Sequence, residues 1–439
     1  MGSLREGSSR LGRQGIGPLR ITVVIALLIG LVVGVSACGD DEGSDASGGG
    51  GTASFGLMSP LSAQFAFLGE AYEAGANLAV EEINEAGGTA GGEDVELKSI
   101  DTEGKPSGAV TALSQLVDVD NVDGLIGPSS LEVTAVQNRI KESGVPNVGL
   151  APSTAVDGQW GGTMWRILPS DALLGPVLAQ AAIDQGYTEA GFLAEKAEGS
   201  QSVKRNVDSA YGPLGGTLGR QVDVAPEQAN YSAELAQLLE APAPSALFYD
   251  VSPESAATMW GDAAQFSDQL KGMVLLGSDA IVAEESIEAL GSALDLVDLY
   301  YIAPQEKGPA KGQYTAAWKK ANGTPTPAEF SSYAYDAAIL LALAMEAAGS
   351  TDHAAVSDQM LQIATAPGEK CTSYKQCKGL LEDGKEIDYQ GASGDLEIGE
   401  DGEVFGSFAF DHFENGKSTE VAHYDQEQIQ QIVAKANAG

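Results

Sequence analysis

Positive charge is scarce in this chain. Its 439 residues hold 24 Lys and Arg against 62 Asp and Glu, for a formal net charge of −38. A surface this acidic repels nucleic acid and anionic lipid, so neither is an expected partner. Histidine is rarer still: His353, His412 and His423 are all there are, which leaves little for acid–base chemistry near neutral pH. There is no G-x-S-x-G elbow, no H-E-x-x-H, no Walker A loop and no G-x-G-x-x-G following a strand. The signatures of the common hydrolases, nucleotide enzymes and dinucleotide enzymes are therefore missing. No enzyme activity, cofactor or metal is expected.

What is present begins at the N-terminus. Arg5, Arg10, Arg13 and Arg20 precede an uncharged apolar run from Ile21 to Val35. As a helix, that run would span roughly 22 Å, short of the ~30 Å hydrocarbon core of a bilayer. A basic flank and a short apolar stretch describe a secretory signal. It ends in Val35-Ser36-Ala37-Cys38, which resembles a bacterial lipobox; an ordinary signal with an incidental cysteine is the alternative. Residues 1–37 are expected to be a lipoprotein signal peptide, with Cys38 lipidated and anchoring the chain to the outer face of the cell membrane. Residues 38–52, "CGDDEGSDASGGGGT", carry Gly, Ser and acid with almost nothing to bury, the composition of a flexible tether. In an oxidising compartment, Cys371 and Cys377 most simply close a disulfide, a two-thiol metal site being the thinner alternative.

Beyond the tether, strand-like and helix-like segments alternate. "SFGLM" (54–58) leads to a helix expected over Phe67–Ala86, where Leu68, Tyr72, Gly75, Ala79 and Ile83 share a face and Gly87-Gly88 mark the end. "VELKSID", "GLIG", "VPNVGL", "AGFLAE", "GRQVDVA", "SALFYDV", "GMVLLGS" and "LYYIAP" read as further strands. This alternation predicts α/β architecture with parallel sheets covered on both faces. The glycine-rich tail reads instead as meandering strands and a hairpin, with Asp401-Gly402 and Asn415-Gly416 as turns.

In such sheets ligands lie at the carboxyl ends of strands. "GPSS" (127–130), "APST" (151–154), "DVSPES" (250–255) and "GSDA" (277–280) all fall there, rich in hydroxyls and almost devoid of base. Hydroxyls and backbone N–H groups at a helix N-terminus can hold a carboxylate without a fixed cation. Ser129, Ser130, Ser153, Thr154 and Ser252 are candidate ligand contacts on this ground, although each could simply cap its helix. Asp279, at the end of "MVLLG", is placed to pair with a ligand amine or to cap the next helix.

These segments resemble the leucine/isoleucine/valine-binding type of periplasmic binding protein, the lipoprotein solute receptors of ABC importers. "FGLMSPLSAQFAFLGEAYEAGANLAVEEINEAGG", "DGLIGPSSLEVTAV", "NVGLAPSTA", "WRILPSD" and "SSYAYDAAILLALAMEAAG" are similar to the family's motifs in order and spacing. The resemblance implies a type I periplasmic binding protein fold, with two Rossmann-like lobes joined by a three-strand hinge. Lobe one would hold 53–172 plus 304–394, and lobe two 173–303 plus 395–435. It also implies that Ser129, Ser130, Ser153 and Thr154 hold an amino-acid carboxylate while Asp279 meets the ammonium. A tyrosine common in the family is replaced near Gly199, and "PLSAQF" brings Gln64 or Phe65 toward the cleft, two departures from the family's branched-chain pattern. Trp160 and Tyr335 are candidate aromatic walls or packing residues. The expected function is capture of a small polar ligand, an amino acid or related amide or carboxylate, for delivery to an ABC permease and its ATPase subunits. A sensory lipoprotein signalling to a membrane partner is the alternative.

Overall fold

A computed structural model describes residues 51–438; the signal, Cys38 and most of the tether lie outside the described residues. Fourteen strands are formed among them. The first five, β1 (Thr52–Ser59), β2 (Asp94–Asp101), β3 (Gly124–Ser129), β4 (Asn147–Leu150) and β5 (Met164–Arg166), build one parallel sheet in the order β2-β1-β3-β4-β5. The next five are β6 (Glu189–Glu195), β7 (Thr217–Val224), β8 (Ala246–Asp250), β9 (Met273–Ser278) and β10 (Val297–Pro304). They repeat that arrangement as β7-β6-β8-β9-β10, again parallel. No sequence repeat announces the duplication; it is carried by the alternation of strand and helix.

Short β11 (Glu369–Cys371) and β12 (Ile387–Tyr389) pair beside the first lobe, where the Cys371–Cys377 disulfide forms. Antiparallel β13 (Phe408–Glu414) and β14 (Lys417–Tyr424) extend the second sheet beyond β10. Their turn is the expected Asn415-Gly416, both at positive φ, the backbone that two-residue hairpins require. The Asp401-Gly402 turn is also formed, but it sits in an irregular stretch rather than between strands.

The first lobe is organised around the Ser331–Ala348 helix. Its sequence is apolar almost all round, and it is correspondingly buried from Ser331 to Met345. It packs on the Ala66–Glu85 helix and on β3 and β4. Its fully buried carboxylate, Asp336, accepts bonds from Tyr389 Oη at 2.8 Å, Ala392 N at 3.0 Å and Ser393 N at 2.7 Å. Asp336 thereby ties down the chain that follows β12. Residues 395–404, assigned to the second lobe from sequence, pack against the first: Leu396, Ile398 and Val404 join its core. Apolar side chains in that stretch face the first sheet, and only with Phe408 does the chain enter the second core.

The chain crosses between lobes three times, after Arg166, after Pro304 and before Phe408. Gln305 N donates to Ser407 O at 2.9 Å, and Arg166 N to Gly402 O at 2.8 Å, so the crossings run side by side. Arg166 itself is fully buried, with Nη1 2.9 Å from Asp157 and Nη2 on Glu403. Its removal leaves two carboxylates facing each other in a half-buried site. Arg166→Met is expected to lower the unfolding free energy by about 3–5 kcal/mol in chemical denaturation of the full-length protein. The exposed-site change Val421→Thr should stay within about 0.5 kcal/mol.

Candidate functional site

In both sheets the order reverses beside the first strand, between β1 and β3 and between β6 and β8. The carboxyl ends flanking such a reversal frame the crevice in which open α/β sheets hold ligands. Two adjoining cavities lie on this side. One, of about 270 Å³, belongs to the first lobe and is lined by Phe65, Phe67, Leu68, Tyr72, Ser129, Ser130, Leu131 and Phe330, among others. The other, of about 630 Å³, draws Asp279, Ala280, Tyr301 and Asp411 from the second lobe, Pro304–Glu306 from a crossing, and Glu329, Phe330 and Tyr333 from the first lobe. Phe330 is common to both. A further groove of about 430 Å³, bounded by Glu189, Thr217, Arg220 and Ser245, sits where β6 and β7 begin. That is the opposite end of the strands from the crevice.

The residues singled out from sequence meet different fates. Gly127 stands at φ +89°, and a Cβ there would lie 2.4 Å from Met58 O, so β3 can hug β1 only with glycine at this point. The loop it leads into is closed on itself. Ser129 donates both N–H and O–H to Glu132 Oε2, at 3.0 and 2.7 Å, and Thr102 Oγ1 donates to Oε1 at 2.5 Å. Glu132 is wholly buried. The donors expected to receive a ligand carboxylate are engaged by the protein's own. Ser130 borders the apolar cavity and its Oγ accepts from Ser153 N at 3.2 Å. Ser153 caps Ala155 N at 3.3 Å, and Thr154 is exposed. Neither borders the two cavities.

The second lobe repeats the device. Buried Glu195 accepts from Ser252 N at 3.0 Å and from Ser255 Oγ at 2.6 Å, while Ser252 Oγ caps the Pro253–Ala263 helix through Ser255 N at 3.4 Å. Ser252 is therefore a helix cap and not a cavity wall. Trp160 is also displaced from the expected wall. Its ring lies in the first-lobe core against Gly149, whose added Cβ would meet it at 2.4 Å, with the Arg166 guanidinium 5.5 Å from its centroid. Tyr335 is core too, donating to Glu82 Oε2 at 2.6 Å. Phe65 and Asp279 do line the cavities, one in each. The backbone of Gln64 belongs to the short Ala63–Phe65 turn of helix; its side chain lies outside the described residues.

Sequence reasoning missed Tyr72, Glu306, Glu329, Phe330 and Tyr333 as cavity-lining residues. Phe330 precedes the central buried helix with φ +65°, a backbone that an aromatic residue adopts only when its surroundings force it. Glu306 supplies the force. Its Oε1 accepts from Phe330 N at 2.5 Å, Ser332 Oγ donates to Oε2, and Lys311 Nζ sits 3.2 Å from Oε2. A crossing segment thus fixes the start of the helix that presents Glu329, Phe330 and Tyr333.

Carboxylates dominate the electrostatics. Asp171, just past the first crossing, is pushed up to about 7 by loss of surrounding water and by the charge of Asp279, against the pull of Arg166. Asp279 is raised by desolvation, against the backbone N–H groups at Asp279 and Ala280 that pull it down. Glu329 is raised by desolvation and then by Glu306 and Asp279. Neither cavity is lined by Lys, Arg or His.

A family model described as "Periplasmic binding protein" matches residues 52–369, well over half the chain. The chain belongs to the periplasmic binding protein family. Among curated proteins, it is 25% identical over 340 residues to the substrate-binding protein of a chemotactic signal transduction system from Halobacterium salinarum, covering 73% of this chain and 76% of the relative. It is 27% identical over 307 residues to a Leu/Ile/Val-binding protein homolog from Brucella melitensis, covering 68% and 80%. Among solved structures, a leucine-binding protein from Thermotoga maritima superposes with a TM-score of 0.63 at 21% identity, covering 86% of this chain and 99% of that one. This periplasmic binding protein therefore has the type I fold that the sequence segments resemble.

The raised Asp171 carboxyl has a consequence for stability. A carboxyl raised in the folded state favours folding while protonated and opposes it once ionised. Its contribution is present at pH values near the ordinary carboxylate range and is lost as pH rises through about 7. Asp171→Asn is accordingly expected to raise the melting temperature of ligand-free protein at pH 8 more than at pH 5, measured by scanning fluorimetry at fixed salt.

Proposed function

We propose that this protein is an extracytoplasmic, lipid-anchored receptor that captures a small polar solute between its lobes and delivers it to an ABC permease and its ATPase subunits. The observation that carries this reading is the cavity of about 630 Å³ whose walls come from both lobes and a crossing segment. That volume suits a small solute. A ligand touching both walls favours the closed arrangement over the open one by its differential contacts, and no chemistry is required. Asp279 is the expected partner of a solute amine, Phe65 and Phe330 contact its apolar part, and Ser130 offers a hydroxyl beside them.

In this reading residues 1–37 are the signal, Cys38 carries the lipid and 38–52 form the tether. No helix of the described residues is long and apolar enough to cross a membrane, so membrane attachment would rest on the lipid. Several acyl chains on one cysteine suffice for stable anchoring. A second reading, a receptor that reports to a sensory membrane partner, is favoured by the likeness to a chemotactic substrate-binding protein.

Three measurements test the proposal. Full-length protein expressed in a bacterial host should fractionate with membranes, and Cys38→Ala should shift it to the soluble or secreted fraction; unchanged fractionation contradicts lipid anchoring. A solute present at a hundred times its dissociation constant should add about 2.7 kcal/mol of stability. Disrupting the gene should abolish uptake of that solute. Uptake intact with a lost behavioural response would instead support the sensory reading.

A further inference from the structure

The cleft carries a strong chemical bias that the fold alone does not supply. Four carboxylates line the larger cavity, those of Asp279, Glu306, Glu329 and Asp411. Glu306 is engaged by Lys311, Phe330 N and Ser332. Asp411 lies within the field of Lys307 and of the Tyr301 hydroxyl. Asp279 and Glu329 have no cationic partner among the described residues. Two phenols stand beside them: Tyr333 in this cavity and Tyr72 in the adjoining one are each 3% exposed, and neither hydroxyl has a hydrogen-bond partner among the described residues. Neither hydroxyl is sealed off as a buried unsatisfied group; each belongs to a cavity-lining residue and is free to bond a group that arrives with the ligand. Meanwhile the apolar cavity offers Phe65, Leu68, Leu131 and Phe330, with Phe67 66% exposed at its edge.

Resting on the reading of the cleft as a solute site, we infer that the solute is an organic cation, an amine or quaternary ammonium with an aromatic or branched apolar body and no carboxylate of its own. A carboxylate would enter a field set by Asp279 and Glu329 and find no base on either cavity wall. The N–H and O–H groups of Ser129, which could have received it, are held by buried Glu132. A cation, by contrast, gains the two unpaired carboxylates, the phenol oxygens of Tyr72 and Tyr333, and the ring faces of Phe330 and Tyr333. Carboxylates and aromatic faces together are the usual recognition elements for ammonium groups. The apolar body then lies against Phe65 and Leu131. Specificity arises as much from rejection of anions as from attraction of cations.

The test is calorimetric titration of full-length protein in detergent with matched probes: phenethylamine and benzyltrimethylammonium as cations, phenylalanine and leucine as zwitterions, and 3-phenylpropionate as the anion. The cations are expected to bind and the anion to show no heat, with each zwitterion at least roughly tenfold weaker than phenethylamine. Glu329→Gln and Asp279→Asn should each weaken benzyltrimethylammonium by roughly tenfold or more, while ligand-free circular dichroism stays as in the parent protein. Tyr333→Phe, which keeps the ring, should weaken phenethylamine more than the quaternary probe, because only the primary amine donates to the phenol oxygen. Binding of leucine or 3-phenylpropionate in place of the cations would overturn the inference and leave the solute-receptor reading standing. Silence from all five probes would also overturn it, with the receptor reading then judged separately by the uptake measurement.

Discussion

Arg166 is buried where the chain first leaves the first lobe, its nitrogens on Asp157 and Glu403 and its plane near the Trp160 ring. A guanidinium without water is tolerable only when its charge is matched; here the two terminal nitrogens carry the match while Nε has no partner among the described residues. Matching it draws together three distant stretches: the Asp157 loop after β4, the end of β5, and Glu403 just before the last crossing. Asp157 also accepts from Ser170 Oγ, at 2.9 and 2.8 Å, which positions the first crossing and Asp171 behind it. The relative placing of the crossings, and hence of the two cleft walls, follows from this one charge. It also explains why residues 395–404 stay with the first lobe.

The cleft is built on a second pair of buried charges. Glu132 and Glu195 sit near the mouths of the two sheets and accept N–H and O–H groups from the loops around them. Each rigidifies its loop, since a buried carboxylate holds its donors tightly. Each also consumes the anion-binding capacity that strand-end loops commonly offer. With those donors engaged, the exposed chemistry of the cleft passes to Asp279, Glu329 and the aromatic residues around Phe330. The strained Phe330 backbone is maintained by Glu306, so the crossing segment and the cleft wall are mechanically one unit.

Much of this was legible in the sequence, and the exceptions have physical causes. Alternating strands and helices, the helix ending at Gly87-Gly88 and the Asn415-Gly416 hairpin are local signals and were read correctly from local rules. Asp279 directly follows a buried strand, and that position is what puts it on a cavity wall. Ser129 was misjudged although a signal existed: Ser129-Ser130-Leu131-Glu132 has the spacing of a capping pair, in which a glutamate three residues on turns back to the serine. Glu195 gave no such warning, because its partners Ser252 and Ser255 lie far along the chain. Trp160 was ambiguous for the same reason, its neighbours Gly149 and Arg166 being joined to it only by the sheet. Phe330 could not have been anticipated, since a positive φ at an aromatic residue is imposed by tertiary contacts.

The central claim is that one ligand bridges the two walls around Phe330. Hydrogen–deuterium exchange of the full-length protein, with and without benzyltrimethylammonium, addresses it directly. The account predicts slowed exchange in residues 279–283 and 329–333 together, from opposite lobes, with no change in residues 217–220 at the far end of the strands. Protection confined to one lobe, or appearing at 217–220 instead, would contradict it.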